Sequence, residues 1–233
     1  MTVPHLSRIW LNPLRTGAQR LIRNPQAMHA TVLGGLARQP VDERVLWRLE
    51  LQPHRGELLV LTETRPSWEH VIEQAGWTVA EEPQAMTVPY DGLLGRLVSG
   101  AEFAFRLRAN PTSSRRHPDS LTPSQAARAQ GRRGVVVPHT TAAAQTQWLL
   151  DHLPSWGFSA VELADGNPAV GVTGRERLAF SRERGAPRVI LQTATYDGRL
   201  RVDDVELART SLMQGVGRGR AYGCGLITLA PAV

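Results

Sequence analysis

Alternation is the clearest signal along the chain. Glu102 to Arg108 reads EFAFRLR, so Phe103, Phe105 and Leu107 fall on one side and Arg106 and Arg108 on the other. That period of two marks a half-buried strand. Val45 to Leu51 (VLWRLEL) alternates in the same way, while Leu6 to Leu11 (LSRIWL) and Leu58 to Thr62 (LLVLT) are apolar runs of strand length. Between them the spacing turns helical. Residues 14–23 form one helical piece. Asn24 then suits an N-cap, with Pro25 at the first position of a second helix that runs to about Leu36. Ser67 opens a short helix with Gly76 behind it, and residues 77–100 are broken by Pro and Gly without a clear period. The order is strand, helix, strand, strand, helix, strand, with Glu102–Arg108 as the closing strand.

The pattern then repeats. Gly134 to Pro138 reads as a strand, and Thr140 or Thr141 caps a helix to about Leu153 with Trp148, Leu149 and Leu153 on its apolar side. Phe158 to Leu163 is a strand, and Val170–Phe180 with Arg188–Tyr196 makes a long hairpin tipped by Gly185-Ala186-Pro187. A helix over Val205–Met213 and a strand over Ala221–Leu229 complete the run. Two βαββαβ runs predict an α+β protein of two tandem ferredoxin-like domains, a pattern that RNA-recognition domains also use. The expected divisions are residues 1–111, a Pro-, Ser- and Arg-rich basic linker over 112–133, and residues 134–233.

Composition narrows the chemistry. All 27 basic residues are arginine. Without lysine there is no Walker-type phosphate loop, no Schiff-base enzyme and no kinase-type strand lysine. A coding bias toward GC-rich codons accounts for Arg replacing Lys equally well. The net charge of +6 is matched by residues 103–134, where seven arginines face Asp119 alone. Residues 1–38 hold five arginines and no acid, and the stretch between these zones is acidic. Arginine-rich zones attract a phosphate backbone, although a solvated loop with spare charge reads the same. The single cysteine, Cys224, permits no internal disulfide and no Cys-rich zinc site, which suggests a reducing, cytoplasmic setting. The seven histidines are widely separated, so no short metal-ligand spacing exists and no cofactor is expected. No apolar run reaches the roughly 18 residues of a membrane span.

Three features carry candidate chemistry. Gly215, Gly217, Gly219, Gly223 and Gly225, with Arg218 and Arg220 among them, form a loop whose backbone N–H groups and charge suit an anion. The glycine spacing does not fit a dinucleotide fingerprint, and the loop follows a helix, the reverse of that motif. A turn packed on its own domain is the plain alternative. His29 falls inside the apolar arc of Met28, Val32, Leu33 and Leu36, so it is either a satisfied structural histidine or a reactive one. The hairpin near Arg182, Arg184 and Arg188 suits a nucleic-acid groove or an ordinary solvated turn. Asp203-Asp204 reads as a helix cap, and Cys224 reads as packing.

Together these residues resemble the CasE-type CRISPR endoribonucleases. The resemblance rests on Leu11-Asn12-Pro13 with Asn24-Pro25-Gln26-Ala27-Met28-His29, on Phe105 to Pro111 (FRLRANP), and on Gly215 to Leu226 through Ala230-Pro231. It implies two ferredoxin-like domains. It implies metal-independent cutting of CRISPR repeat RNA at the base of its hairpin, retention of the product, and assembly with the other subunits of a Cascade complex. The family's catalytic histidine maps to His29. Gln26 stands where some relatives carry a tyrosine. Expected RNA-contacting residues are Arg20, Arg23, Arg106, Arg108, Arg115, Arg116, Arg182, Arg184, Arg188, Gly215, Gly217, Arg218, Gly219 and Arg220. One alternative is a non-catalytic RNA-binding subunit of the same kind of complex. Another is a small-molecule enzyme on ferredoxin-like domains, which gives no reason for the charge of residues 103–134.

Overall fold

The computed structural model describes residues 3–115, 135–181 and 187–232. The protein is a mixed α/β chain built on antiparallel sheets. The first sheet is ordered β4-β1-β3-β2, from strands β1 (His5–Leu11), β2 (Leu46–Leu51), β3 (Gly56–Thr62) and β4 (Ala85–Pro89). Ile9, Leu11, Trp47, Leu58 and Val60 point to one face of it. They bury against α1 (Thr16–Arg23), α2 (Pro25–Leu33) and α3 (Glu69–Ala75), which supply Leu21, Met28, Val32 and Val71. α2 starts where the sequence predicts: the Asn24 carboxamide oxygen accepts from the Gln26 and Ala27 amides, with Pro25 first in the helix.

The opposite face of that sheet joins a second core. Leu46 and Leu61 pack there with Leu94 of α4 (Asp91–Leu94), Phe105 and Leu107 of β5 (Glu102–Ala109), and residues further along the chain. The second sheet is ordered β11-β5-β10-β8, from β5, β8 (Phe158–Ala160), β10 (Arg188–Val202) and β11 (Ile227–Pro231), with β9 (Val170–Ser181) also paired to β10. α5 (Ala142–His152) and α6 (Val205–Gln214) complete it, and Trp148, Leu149, Ala208 and Leu212 bury in this core. Thr141 caps α5 and Asp204 caps α6, both through side-chain oxygens.

Four expectations change. Glu102–Arg108 is a strand with the alternation expected, yet it is not the last strand of the first unit. Its neighbours are β10 and β11, so it belongs to the second sheet and the first unit does not extend to residue 111. The fourth strand of the first sheet is Ala85–Pro89, inside the stretch read as irregular. That strand lies at an edge and exposes Met86 and Val88, so no apolar period announces it. Thr112–Arg115, read as linker, forms β6 and pairs with β7 (Val135–Pro138) in a two-stranded ribbon. The final strand starts at Ile227 rather than Ala221, because Gly223 and Gly225 take positive φ values of 79° and 89° that a strand does not accommodate.

Candidate functional site

The helix carrying His29 is apolar on both flanks of that residue. Met28 and Val32 are fully buried against the first sheet, and His29, one step round from Met28, is half-buried. Its Nδ1 is buried and finds no hydrogen-bond partner among the described residues. Burial lowers its pKa below the usual 6.5, because the surroundings disfavour the charged imidazolium. The His5 Nδ1 and five other buried side-chain atoms also lack a partner among the described residues, so the placement of its helix, not the missing partner, sets His29 apart.

The Gly-rich segment folds beside this helix. A 3-10 turn over Arg220–Tyr222 packs against α2 and also touches β2. All five glycines of the segment sit at positive φ. At Gly223 a Cβ would stand 2.7 Å from the Trp47 ring, so only glycine lets the loop close on β2. Inside the loop, the Val216 amide donates to the Gly225 carbonyl, and the Gly225 amide to the Arg108 carbonyl. Two segments almost two hundred residues apart in the chain therefore share one seam.

The predicted arginines separate into distinct environments. Arg20 and Arg23 are exposed in the last turn of α1 and enter no ion pair among the described residues. Arg218 is exposed, and Arg220 is partly buried with its guanidinium donating to the carbonyls of Gln214 and Gly215. Arg188 is exposed at the start of β10. Arg115 lies in β6, while Arg116, Arg182 and Arg184 fall outside the described residues. Arg106 and Arg108 are different. Arg106 forks onto Asp197 at 2.5 and 3.0 Å and reaches Glu50 at 2.6 Å, and Arg108 pairs with Glu176. For Asp197, burial works upward, but the bonds from Arg106 and Thr173 outweigh it and hold its carboxyl below the usual range.

These ion pairs line a cleft of about 530 Å³ whose walls come from both sheets. Its centre is Arg48, a residue the sequence pattern did not single out. Arg48 is 3% exposed and donates to Glu50, to the carbonyls of Arg106 and Leu226, and to the Thr228 hydroxyl at 2.8–3.0 Å. It ties the first sheet to β5 and β11 of the second. A second unanticipated group is Trp10, with the guanidiniums of Arg55 and Arg8 at 4.0 and 4.8 Å from its ring. Among the described residues no three His, Cys, Asp or Glu side chains gather into a metal-holding group, and no helix is long and apolar enough to cross a membrane.

A family model described as "CRISPR associated protein" matches residues 5–231. The chain is also 33% identical over 236 residues to the CRISPR-associated endoribonuclease Cse3 of Thermus thermophilus, covering 97% of this chain and 99% of that one. The chain belongs to the CasE-type CRISPR-associated family. Another relative, the CRISPR system Cascade subunit CasE of Escherichia coli, is 27% identical over 162 residues, which is 70% of this chain and 74% of that one. Among solved structures, Thermus thermophilus Cse3 bound to an RNA representing a pre-cleavage complex superposes with a TM-score of 0.76 at 31% identity, covering 98% of this chain and all of that one. In this family member, the helix that carries His29 and the Gly-rich turn pack on one another beside β2.

Proposed function

We propose that this protein is the endoribonuclease that processes CRISPR precursor RNA, cutting at the base of the repeat hairpin and staying on the mature guide as a Cascade subunit in the cytoplasm. One observation carries the reading: the half-buried His29 sits on a helix packed against an arginine-bearing Gly-rich turn. The names of the relatives, an endoribonuclease and a Cascade subunit, support the substrate and the assembly.

The chemistry follows from RNA itself. The ribose 2′-OH next to the scissile phosphate attacks phosphorus and loses its proton. The bond from phosphorus to the 5′ oxygen breaks, and that oxygen gains a proton. The products are a 2′,3′-cyclic phosphate and a 5′-OH, with no metal in the step. His29 moves a proton, and its lowered pKa leaves it neutral at pH 7, the form that accepts a proton from the nucleophile. Such transfer contributes about 10²–10⁴-fold. Arg20 and Arg23, Arg188, and the Gly215, Gly217, Arg218, Gly219 and Arg220 segment hold the RNA in this reading. The stem is gripped through its backbone, because A-form grooves are recognised mostly by shape.

We also propose that both units are ferredoxin-like. In support, each sheet runs fourth, first, third, second along its own βαββαβ series, with β5 opening the second series.

The test is His29→Ala incubated with the host's repeat hairpin in EDTA, both product ends being mapped. Loss of cutting with retained binding is expected, as is a block of the wild type by one 2′-deoxy at the cut site. Wild-type binding without any cutting would favour the non-catalytic subunit.

A further inference from the structure

We propose that Arg44 and Arg220 together hold the RNA phosphate on which His29 acts. The proposal rests on the endoribonuclease reading and deepens it by naming the anion site.

Arg220 is built into the loop. Its Nη1 donates to the carbonyls of Gln214 and Gly215, each at 3.1 Å. Its alkyl chain lies along Gly215 and Gly225, where a Cβ would come within 3.2 Å of its Cδ and 3.0 Å of its Cγ. Among the described residues its Nε and Nη2 make no hydrogen bond, so one edge of the guanidinium is held and the other is open.

The segment that carries Arg44 approaches the same loop from the first sheet. Leu46 and Trp47, at the start of β2, pack directly on Gly215 and Gly223. Arg44 stands just upstream of them and is exposed. In sequence it follows two acids, which would ordinarily neutralise it. Both are engaged elsewhere. Asp42 pairs with Arg38 at 3.2 Å, and the Glu43 carboxylate accepts from the Glu63 and Thr64 amides at 2.5 and 2.8 Å and from the Thr64 hydroxyl. Among the described residues neither Arg44 nor Arg220 meets a carboxylate.

The two charges feel each other: burial and then the Arg44 charge lower the Arg220 pKa. Like charges held together without a counterion are costly in the free protein, and an anion between them relieves that cost. A phosphate fits, because its oxygens match two guanidinium forks. The turn that carries Arg220 packs on the helix that carries His29, so the anion site and the histidine belong to neighbouring elements.

The experiment has two readouts on full-length protein. One is single-turnover cleavage of the repeat hairpin with enzyme in excess. The other is the salt dependence of binding to a 2′-deoxy hairpin that is not cut. For Arg44→Ala, cleavage is expected to slow about 10- to 100-fold, the worth of one charge-assisted contact. The slope of log affinity against log salt should fall by about one. Arg44→Lys should restore the slope but not the full rate, since a point charge cannot fork. Melting should be unchanged, because Arg44 is exposed. An Arg44→Ala protein that cuts at the wild-type rate overturns the clamp and leaves the endoribonuclease reading standing. A rate loss with an unchanged slope makes Arg44 structural and also overturns it. A wild type that cuts no repeat RNA removes the reading and the clamp together.

Discussion

His29 sets the pH behaviour of this site. Its pKa is lowered by burial, so in the free enzyme the neutral form persists to below pH 6.5. If the neutral ring takes the 2′-OH proton, kcat/KM should rise with pH through a midpoint below 6.5, because that ratio reports the free enzyme. A midpoint above 6.5, or a rate that falls as pH rises through this range, would assign His29 the acid role instead. The same group bears on stability. A histidine whose folded pKa is depressed binds fewer protons in the native state, so its contribution is present above the unfolded value and is lost as pH falls through it. His29→Ala should therefore flatten part of the acid limb of a melting curve plotted against pH. Glycine positions give a second test. Gly223→Ala combines a left-handed backbone with a Cβ 2.7 Å from Trp47, while Gly100→Ala at φ 83° meets nothing within 4 Å. The backbone term is about 1–2 kcal/mol in each, so the Gly223 variant should melt lower by the extra displacement of Trp47. It should also lose cleavage, which the Gly100 variant should keep. The Gly-rich loop and His29 were both legible as candidates in the sequence. Arg44 was not, because Asp42 and Glu43 mask it until their bonds to other residues are seen.

Elements were legible wherever burial on one face imposed a period. β2, β3, β5 and the cap-marked helices α2, α5 and α6 fall close to their sequence bounds. β4 and β6 were not, since a short edge strand shows little apolar alternation and is made by pairing with its neighbours. β5 shows the deeper limit. Its alternation declares a strand but says nothing of which strands flank it, and that choice comes from residues almost a hundred positions away. Arg48 on β2 is the element-level consequence. It bonds the Arg106 carbonyl of β5, the Leu226 carbonyl just before β11 and the Thr228 hydroxyl of β11 while nearly fully buried. Arg48→Ala removes the donor to the Leu226 carbonyl and one of the two arginines on Glu50, and removing one member of a buried ionic set costs about 3–5 kcal/mol. Denaturant melting should show that loss, together with slower cleavage as the seam between the units loosens.

At the scale of the whole molecule, net charge does not report which arginines meet RNA. Arg106 and Arg108 lie in the most basic stretch, yet both are held by carboxylates of other strands. Arg106→Ala should lower stability and leave the salt slope of RNA binding close to wild type. Arg218→Ala, exposed and outside the ion pairs of the described residues, should lower that slope by about one while stability holds. Equal slopes for the two variants would refute this division.

The sequence by itself determined the α+β alternation of strands and helices, the caps of α2 and α6, the all-arginine cation set and the residues that mark the family. Each of these is written in local spacing or residue type. The tertiary structure decided which sheet takes Glu102–Ala109, which arginines are neutralised, and that the helix carrying His29 packs on the Gly-rich turn. Those outcomes depend on contacts between segments far apart in the chain, where packing and charge pairing, rather than local propensity, set the lowest free energy.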